Sequence, residues 1–304
     1  MKFMVEFPLG LDDQGEPWSK PANIVAVAQA LEAAGVDAIA FTDHPAPSKK
    51  WMENGGHATI DPFVGLGFCA AVTTKLRLMT ALTVVPYRNP LLMAKSMTAV
   101  DVVSGGRASF ILGTGYLRSE FLALGVEFEE RNALFDEAIE VAKGIWSDDD
   151  FHYEGKHFTA IGQTMFPNAV QKPHPPLWLG GNAKVVRDRV ARWGEGWAPM
   201  LGGGVLTRTA RTSAITTDED FAIAIEDLGE RLESYGRSLA DIDISGSITA
   251  TRVGLSDPAA YLDGLGQLAS LGVTWTHAPV MRGNLGAALD AIAQFGEEIK
   301  PKVG

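Results

Sequence analysis

The sequence predicts an α/β protein built as one (β/α)8 TIM barrel with insertions. Short strand-like runs alternate with longer helical runs over the 304 residues, and eight strand–helix pairs can be counted. Such alternation requires a parallel sheet covered by helices, and eight units suggest that the sheet closes. A doubly wound open sheet is the alternative, but it normally uses fewer strands. No change in composition marks a second domain, so one domain over residues 1–304 is expected.

The first half of the chain supplies four of these units. Strands are predicted in "FMVEFPL", "AIAFT", "LRLMTALTVV" and "ASFILG". A helix is expected over 21–34, and another opens with Asp61 at the N-cap and Pro62 in the first turn. A third helix, in "NPLLMAKSMTAVDVVSGGR", is expected to stop at Gly105 and Gly106.

The second half contains four further strands and the longer insertions. The region 118–148 is predicted to be helical, and "FHYEGKHF" is predicted to be a hairpin about Gly155. The remaining strands are predicted in "PLWLGG", "GWAPM", "DIDISGSI" and "GVTWTHAPV", and the remaining helices at 183–193, 218–235, 258–271 and 284–298. Insertions are expected around 45–60, 149–175 and 200–217.

Composition and charge restrict the partners. The net charge of −11 and the pI near 5.0 argue against nucleic acid, which is bound by clustered Lys and Arg. No uninterrupted apolar run approaches the roughly 20 residues that span a bilayer, so no membrane partner is expected. The start, "MKFMVEFPLG", reads as a first strand and not as a targeting segment. One cysteine, Cys69, gives no disulfide framework, which agrees with a cytoplasmic location.

Metal binding is not expected. The six histidines show no HExxH motif and no paired ligand spacing, and the single cysteine cannot complete a set. An anionic ligand is still possible on an acidic protein, because backbone N–H groups at a helix start bind phosphate without basic side chains.

In a parallel barrel the reactive groups follow the strands at their carboxyl ends, which selects candidates by position alone. These candidates are Asp43, His44, Thr80, Ala81, Gly113, Thr114, Gly115, Tyr116, Gly180, Gly181, Asn182 and Trp197. Asp43 and His44 in "TDHP" have side chains that can deliver a proton or bind a polar edge of a cofactor. The structural alternative is that Asp43 caps a turn before Pro45 while His44 is an ordinary polar residue.

Two glycine-rich strand ends could approach a ligand closely. "LGGNAK" runs from a strand into a helix start and forms a plausible phosphate cup, whereas a glycine-rich strand end without a ligand is the alternative. Neither this segment nor "ILGTGYLRSEF" contains the GxxxxGK[ST] or GxGxxG pattern, so no P-loop and no dinucleotide fingerprint is present.

The order of several motifs resembles that of the luciferase-like flavin and deazaflavin oxidoreductases. These motifs are "TDHP", "TALTVVPYRNPLLMAKSMTAVDVVSGGR", "LGTGYLRSEFLALGVEFEER", "FDEAIEVAKGIW", "FHYEGKHF", "QKPHPPLWLGG" and "GEGW", which cover residues 1 to about 200. Within that superfamily the chain is most similar to the branch that uses coenzyme F420, an 8-hydroxy-5-deazaflavin. The family fold is a single β/α barrel with insertions, in agreement with the strand count.

The resemblance implies roles for individual residues. Asp43 and His44 would lie against the deazaflavin ring, with His44 as the group that polarises or protonates substrate. A non-prolyl cis peptide bond behind the ring would join Thr80 to Ala81. The stretch from Gly113 to Ser119, including Thr114, Gly115 and Tyr116, would form the barrel mouth beside the ring and its ribityl chain.

The resemblance also implies the phosphate site and one departure from the family pattern. Gly180, Gly181, Asn182 and Ala183 would bind the cofactor phosphate through backbone N–H groups. Trp197 is a candidate for the pocket lining only by its position at a strand end, with packing in the core as the alternative. Some deazaflavin dehydrogenases have a carboxylate where this chain has Tyr116, and an asparagine where it has Ser119. Tyr116 is the third candidate catalytic residue, as a hydrogen-bond donor.

The implied function is F420-dependent hydride transfer to or from a small organic substrate. An FMN-dependent monooxygenase on the same barrel is one alternative, and a non-catalytic barrel that only binds a flavin or deazaflavin is another. A homodimer is expected, because family members pair through barrel helices. Substrate identity is assigned to the segment after residue 200, with Arg208 and Arg211 in "LTRTART".

Overall fold

The prediction of a (β/α)8 barrel is confirmed by the computed structural model, which describes residues 1–203, 207 and 212–303. In this part of the chain eight parallel strands form one sheet in the order β10-β1-β2-β3-β4-β7-β8-β9, and β5 and β6 form an antiparallel pair. The strands are β1 (Lys2–Glu6), β2 (Ala38–Phe41), β3 (Arg77–Val84), β4 (Ala108–Gly113), β5 (Phe151–Glu154), β6 (Thr159–Gln163), β7 (Leu177–Gly180), β8 (Gly196–Ala198), β9 (Asp243–Ile244) and β10 (Trp275–His277).

The sheet is closed by a few hydrogen bonds between β9 and β10, the strands at the two ends of this order. The N–H of Thr274 donates to the carbonyl of Ile244, and the N–H of Gly246 donates to the carbonyl of Trp275, each over 3.0 Å. Ser245 forms a parallel bridge with Trp275. All eight carboxyl ends therefore meet at one rim of a barrel.

Helices follow the strands as the alternation predicts. They are α1 (Pro21–Ala33), α2 (Lys49–Glu53), α3 (Pro62–Ala70), α4 (Pro90–Ser104), α5 (Arg118–Ala123), α6 (Arg131–Ser147), α7 (Lys184–Trp193), α8 (Asp218–Ser234), α9 (Pro258–Ser270) and α10 (Leu285–Glu298). The predicted start of α3 is correct, because Asp61 Oδ1 accepts from the N–H of Phe63 at 2.9 Å and of Val64 at 3.1 Å. The predicted end of α4 is also correct, with Gly105 at φ +68°.

The region 118–148 is helical as predicted, but it is divided into two helices. The chain forms α5, then a left-handed turn at Gly125 with φ +70°, a 3₁₀ turn over Phe128–Glu130, and finally α6. The N–H of Val126 donates to the carbonyl of Phe121 at 2.9 Å, which satisfies the last turn of α5. The break separates α5 from α6, and α5 carries Glu120, whose carboxylate contacts His44 after β2.

Other boundaries differ in detail. The strand predicted in "DIDISGSI" is limited to Asp243–Ile244, and a 3₁₀ segment over Thr249–Ser256 precedes α9. The first predicted insertion contains α2, whose start is capped by Ser48. Of the third predicted insertion, residues 204–206 and 208–211 lie outside the described residues, and Arg208 and Arg211 are among them.

Two apolar clusters stabilise the barrel. The larger cluster lies between the sheet and the helices. The smaller cluster fills the barrel interior and consists of Met4, Ala38, Ala40, Met79, Ile111, Trp178 and Trp275. Because strand residues alternate between these two faces, the interior cluster shows which residues of each strand point into the barrel.

The predicted hairpin is confirmed, and it is attached to α6 by His157. In the turn between β5 and β6, Nδ1 of His157 lies 2.6 Å from Glu137 Oε2, and Nε2 lies 2.7 Å from Glu130 Oε2. Hydrogen bonds to Glu137 and then to Glu130 raise the pKa of His157. Both ring nitrogens can donate at once only when the imidazole is protonated.

In the described part of the chain, no helix is both long and apolar enough to cross a membrane.

We expect the attachment of the hairpin to weaken as the pH rises. The pKa of His157 is higher in the folded protein than in the unfolded chain, so its contribution is complete below about pH 6.5 and is lost as the pH rises through the folded value. His157→Asn should therefore lower Tm by a few degrees at pH 6 and by less at pH 9. Thermal unfolding from pH 5.5 to 9 measures this, with His152→Asn as the control, since His152 is an exposed residue of the same hairpin. An equal loss for His157→Asn at all pH values would contradict the assignment.

Candidate active site

A cavity of about 560 Å³ opens at the carboxyl rim of the barrel, within the size range of small-molecule sites. It receives residues from β1, β3, β4, β7, β8 and β10 and from the segments that directly follow β2 and β9. The sequence-predicted residues that line it are Asp43, His44, Ala81, Gly113, Thr114, Gly115, Tyr116, Gly180, Gly181 and Ala183.

Thr80 and Trp197 are predicted site residues that point away from this cavity. Thr80 is fully buried and donates to the carbonyl of Ile111 at 2.9 Å. Trp197 is also fully buried, belongs to the cluster between sheet and helices, and packs near Phe221. Both lie on the outer face of their strands, since Met79 and Trp178 mark the inner face.

Ser119 and Asn182 also lie outside the cavity lining. Ser119 is exposed on α5. Asn182 is buried, and its side-chain amide donates to the carbonyls of Met200 and Ser213 at 2.7 Å each. Its Oδ1 accepts from the N–H of Met200 at 2.8 Å. Asn182 therefore attaches the segment after β8 to the end of β7.

The predicted position of the non-prolyl cis peptide bond is wrong by one residue. The bond joins Ala81 to Leu82, not Thr80 to Ala81. The pairing of β3 with β4 shifts its register between Ala81 and Thr83, so Leu82 is the extra residue of a bulge. The sequence reading assumed a regular strand here.

Leu82 explains two of the glycines at the rim. A Cβ on Gly113 would lie 2.6 Å from Leu82 Cδ1, and a Cβ on Gly180 would lie 2.6 Å from Leu82 Cδ2. Glycine at both positions lets the Leu82 side chain lie between β4 and β7, where it forms part of the cavity surface. The result is a cradle of backbone and apolar side chain that a planar ring could contact.

Asp43 lines the cavity, but its carboxylate is already paired. Oδ1 accepts from the Arg88 guanidinium at 3.0 Å, Oδ2 also accepts from this guanidinium, and the N–H of Val84 donates to Oδ2 at 2.9 Å. Arg88 donates further to Asp61 at 3.2 Å. Asp43 therefore joins the end of β2 to the end of β3, a role that the short-range pattern "TDHP" does not predict.

The imidazole of His44 is enclosed by aromatic rings and faces a buried carboxylate. Its Nδ1 lies 3.0 Å from Oε2 of Glu120, whose side chain is fully buried. The ring centroids of Trp51, His57 and Tyr116 lie 4.5, 5.1 and 5.9 Å from that of His44. Burial raises the pKa of Tyr116 to about 12, with a further contribution from the charge of Glu120.

Sequence reasoning missed Glu120 and Tyr87. Tyr87 O–H donates to Oε2 of Glu120 at 3.1 Å, and the N–H of Ala46 donates to Oε1 at 3.1 Å. No local signal marks Glu120, because a glutamate in a helix is usually exposed. Its three hydrogen-bond partners lie 33 to 76 residues away in the chain.

Glu6 and His277 were also missed, although the strand-end rule identifies them. Glu6 is the last residue of β1, His277 is the last residue of β10, and both line the same cavity as His57. Both are open to the cavity and otherwise enclosed by protein. This enclosure raises the pKa of Glu6, against a smaller opposing effect of His44, and it lowers the pKa of His277. Burial and then the charge of His44 lower the pKa of His57.

The predicted phosphate cup lies at the start of α7. The N–H of Gly181 donates to the carbonyl of Ala198 at 3.1 Å, and the N–H of Asn182 donates to Thr212 Oγ1 at 3.0 Å. These two groups are therefore engaged within the protein. The first turn of α7, from Lys184, has no side-chain cap. The N–H of Val186 donates to the carbonyl of Ala183 at 2.9 Å, whereas the N–H groups of Lys184 and Val185 precede the first hydrogen bond of the helix.

Basic side chains lie on the same side of the cavity as this turn. Arg131 and Asn132, at the start of α6, and Arg189, on α7, line the cavity. Arg189 donates to the carbonyl of Asn132 at 3.1 Å and is also paired with Asp136. Within residues 1–203, 207 and 212–303, no group of three or more His, Cys, Asp or Glu side chains is arranged to hold a metal ion.

Comparison with known proteins defines the class. The model of the luciferase-like monooxygenase family matches residues 1–261. An FMNH(2)-dependent dimethylsulfone monooxygenase from Pseudomonas putida is 34% identical over 125 residues, which are 40% of this chain and 34% of that protein. An F420-dependent glucose-6-phosphate dehydrogenase from Gordonia bronchialis is 30% identical over 207 residues, 66% of this chain and 58% of that protein. Each match thus covers less than two thirds of the relative.

The solved structures support the fold. The coenzyme F420-dependent tetrahydromethanopterin reductase of Methanopyrus kandleri matches with a TM-score of 0.75 and 18% identity, covering 100% of this chain and 99% of that chain. The class defined by fold and site is that of parallel β/α barrels with a ligand cavity at the carboxyl rim. Within it, the chain belongs to the luciferase-like monooxygenase family.

We expect Gly113→Ala to force Leu82 into the cavity. The new methyl group would overlap the Leu82 side chain, and overpacking of this kind costs about 1–3 kcal/mol. The double variant Gly113→Ala/Leu82→Ala should recover part of the loss. Urea unfolding measures this, with Gly67→Ala on α3 as the control, because a Cβ there meets nothing within 4 Å. If Gly113→Ala is as stable as Gly67→Ala, the packing argument is wrong.

Proposed function

We propose that the protein is an F420-dependent oxidoreductase that transfers a hydride between C5 of the deazaflavin and a small organic substrate. The observation that carries this proposal is an imidazole, His44, at the rim of a cavity whose floor is the cradle of Leu82, Gly113 and Gly180. The cradle fits a planar ring, and the imidazole is placed to exchange a proton with a substrate above it. When bound, a deazaflavin supplies two-electron hydride transfer and, with carbon at position 5, favours it over oxygen activation.

The relatives favour F420 over FMN. The match to the F420-dependent relative extends over 66% of this chain, whereas the match to the FMNH(2)-dependent relative extends over 40%. The motif order that resembles the F420 branch also extends to about residue 200. We therefore take F420 as the cofactor and FMN as the alternative.

The charge distribution supports one orientation of the cofactor. Arg131 and Arg189 lie on α6 and α7, which come after β4 and β7 in the chain. Glu6 and His277 lie on β1 and β10, on the other side of His44 in the strand order. We propose that the anionic tail lies at the basic side. There, Ala183 and the first turn of α7, next to Gly180, Gly181 and Asn182, would hold the phosphate through N–H groups and the helix dipole.

The substrate then lies at the side of Glu6, His44, His57 and His277. Among the described residues that line this side there is no Lys or Arg, and the nearby Arg88 guanidinium is paired with Asp43 and Asp61. A phosphorylated or carboxylate substrate would face Glu6 without a compensating cation. We therefore propose an uncharged alcohol or carbonyl compound as the substrate.

These contacts support roles in the proposed reaction for three residues. His44 takes or returns the substrate proton. Asp43, through Arg88 and the Val84 N–H, holds the strand ends that carry His44. Tyr116 contributes a hydrogen bond, because a pKa of about 12 keeps its hydroxyl protonated at neutral pH.

Two other functions follow from specific observations. The FMNH(2)-dependent relative favours a monooxygenase, which would consume oxygen. Tyr116, in place of the carboxylate of some deazaflavin dehydrogenases, favours a barrel that binds the cofactor without catalysis.

Cofactor titration followed by turnover separates these functions. We expect the purified protein to quench F420 fluorescence at lower concentration than FMN fluorescence. The loaded protein should then turn over cyclohexanol or cyclohexanone under anaerobic conditions, at a higher kcat/KM than glucose 6-phosphate. His44→Ala should lower kcat about a hundredfold or more while the Kd for F420 stays nearly unchanged.

The other outcomes have defined meanings. Preference for FMN, with turnover that requires oxygen, would replace the proposal by the monooxygenase. Binding of F420 without hydride exchange, together with a change in affinity in His44→Ala, would indicate the non-catalytic barrel. A preference for glucose 6-phosphate would overturn the proposed substrate class but not the cofactor.

We also propose a homodimer in the cytoplasm, formed by a single-domain chain. α3 packs beside α4, and the two helices expose Val64, Phe68, Leu92 and Val103. Adjacent apolar side chains of this size on two barrel helices favour a protein interface. The one cysteine, Cys69, is buried and free, in agreement with a reducing compartment.

Sedimentation equilibrium tests the dimer. The protein should sediment at twice the chain mass, and Phe68→Glu/Leu92→Glu should shift it to the monomer, because each charge would be buried without a partner. Leu122→Glu is the control, since Leu122 is exposed on α5, outside this surface. A monomeric protein before substitution would contradict the proposal.

A further inference from the structure

The carboxylate of Glu120 is the most enclosed charged group at the site. Its side chain is fully buried, yet it accepts hydrogen bonds from Tyr87 O–H and from the Ala46 N–H, and it faces Nδ1 of His44 at 3.0 Å. A buried carboxylate costs free energy unless such partners compensate for its lost hydration. The Ala46 N–H and the Tyr87 O–H both donate to this carboxyl group, which suits its ionised form, since that form only accepts.

An ionised Glu120 dictates the protonation of the His44 ring. Because the carboxylate cannot donate, the nitrogen that faces it must carry the proton, so neutral His44 is the Nδ1–H tautomer. Nε2 is then the nitrogen with the free lone pair, and it can accept a proton from a substrate. The negative charge beside Nδ1 stabilises the imidazolium that results.

We propose that Glu120 is a positioning residue: it fixes Nδ1 of His44 as the protonated nitrogen, with Tyr87 holding the carboxylate, so that Nε2 serves as the base toward the substrate. This assignment rests on the proposed function. When the substrate is an alcohol, its O–H bond breaks and the proton goes to Nε2, while the hydride leaves the carbon for the cofactor. The reverse direction returns the same proton to the carbonyl oxygen.

The neighbours of Glu120 are suited to this role. Tyr87 follows β3 directly, and its ring packs edge-on against Phe121 at 4.8 Å, which fixes its hydroxyl in place. Burial and then the charge of Glu120 raise the pKa of Tyr87, so its hydroxyl remains a donor. The Trp51 ring, 4.5 Å from the imidazole, restricts rotation of His44.

The test combines histidine NMR with kinetics. Full-length protein with ¹⁵N-labelled histidine reports which ring nitrogen of His44 carries the proton, and the spectrum of His44→Asn assigns the signals. We expect the Nδ1–H tautomer in the unaltered protein and a mixture or the other tautomer in Glu120→Gln, which keeps the shape but removes the charge. Tyr87→Phe keeps the packing on Phe121 and should give a smaller change of the same kind.

Kinetics with F420 and cyclohexanol give the second readout. Glu120→Gln should lower kcat about ten- to hundredfold with little change in the Kd for F420. The acidic limb of the pH profile of kcat/KM should move to lower pH. In this variant the protonated imidazole of His44 has lost the negative charge of Glu120 that stabilises it. Glu120→Asp should restore part of the activity. Glu129→Gln, an exposed carboxylate paired with Arg118, is the control and should change neither readout.

Each result decides the question. The Nε2–H tautomer in the unaltered protein, or an unchanged tautomer in both Glu120→Gln and Tyr87→Phe, would overturn the proposal. If Glu120→Gln fails to fold, the tautomer of the unaltered protein and of Tyr87→Phe still decides. Absence of F420 turnover in the unaltered protein would contradict the proposed function. The NMR result would still establish or refute that Glu120 determines which ring nitrogen of His44 is protonated.

Discussion

The hydrogen bonds that join β9 to β10 close the sheet, with the Thr274 N–H donating to the Ile244 carbonyl over 3.0 Å. Both strands are only two or three residues long, so few bonds maintain the closure. Because every strand of the closed sheet is parallel, all of the carboxyl ends point to one rim. Closure thus places Ala198 and Ser245, at the ends of β8 and β9, in the same cavity lining as Glu6, His44 and His277.

Within the rim, the ion pair of Asp43 with Arg88 connects three elements. Asp43 follows β2, Arg88 follows β3, and Arg88 also contacts Asp61 at the N-cap of α3. A buried pair of this kind adds little net stability, but removing one partner leaves an uncompensated charge. Its effect is therefore on geometry: it fixes the backbone from which His44 projects. A side chain engaged in this way is not a free acid.

Much of the fold could be predicted, because it depends on local signals. Strand and helix periods alternate along the chain, and the Asp61 cap and the Gly105 stop mark helix ends through contacts a few residues apart. The face of a strand was harder to predict. Both faces are apolar in a barrel, so alternation does not show which residues point inward, and Thr80 and Trp197 were assigned to the wrong side.

Cavity-lining residues could be predicted from the sequence where their position after a strand is sufficient to identify them. Residues that reach the site through contacts with distant parts of the chain were missed. His44 and Gly113 follow from position, and Glu6 and His277 follow from the same rule applied to β1 and β10. The bulge at Leu82 requires knowledge of the β3–β4 register, which no short pattern contains. Glu120 requires knowledge of a turn at Gly125 that ends α5.

Tyr116 and Glu120 together bear on whether the site is catalytic. The resemblance to deazaflavin dehydrogenases leaves an acid missing at 116, which favours a barrel that only binds its cofactor. Yet α5 places Glu120, four residues further on, against Nδ1 of His44. Binding of a ring or of a phosphate does not require a fully buried carboxylate, and its desolvation is costly. An imidazole that gains and loses a proton does benefit from such a partner, so the arrangement favours catalysis by His44 over cofactor storage.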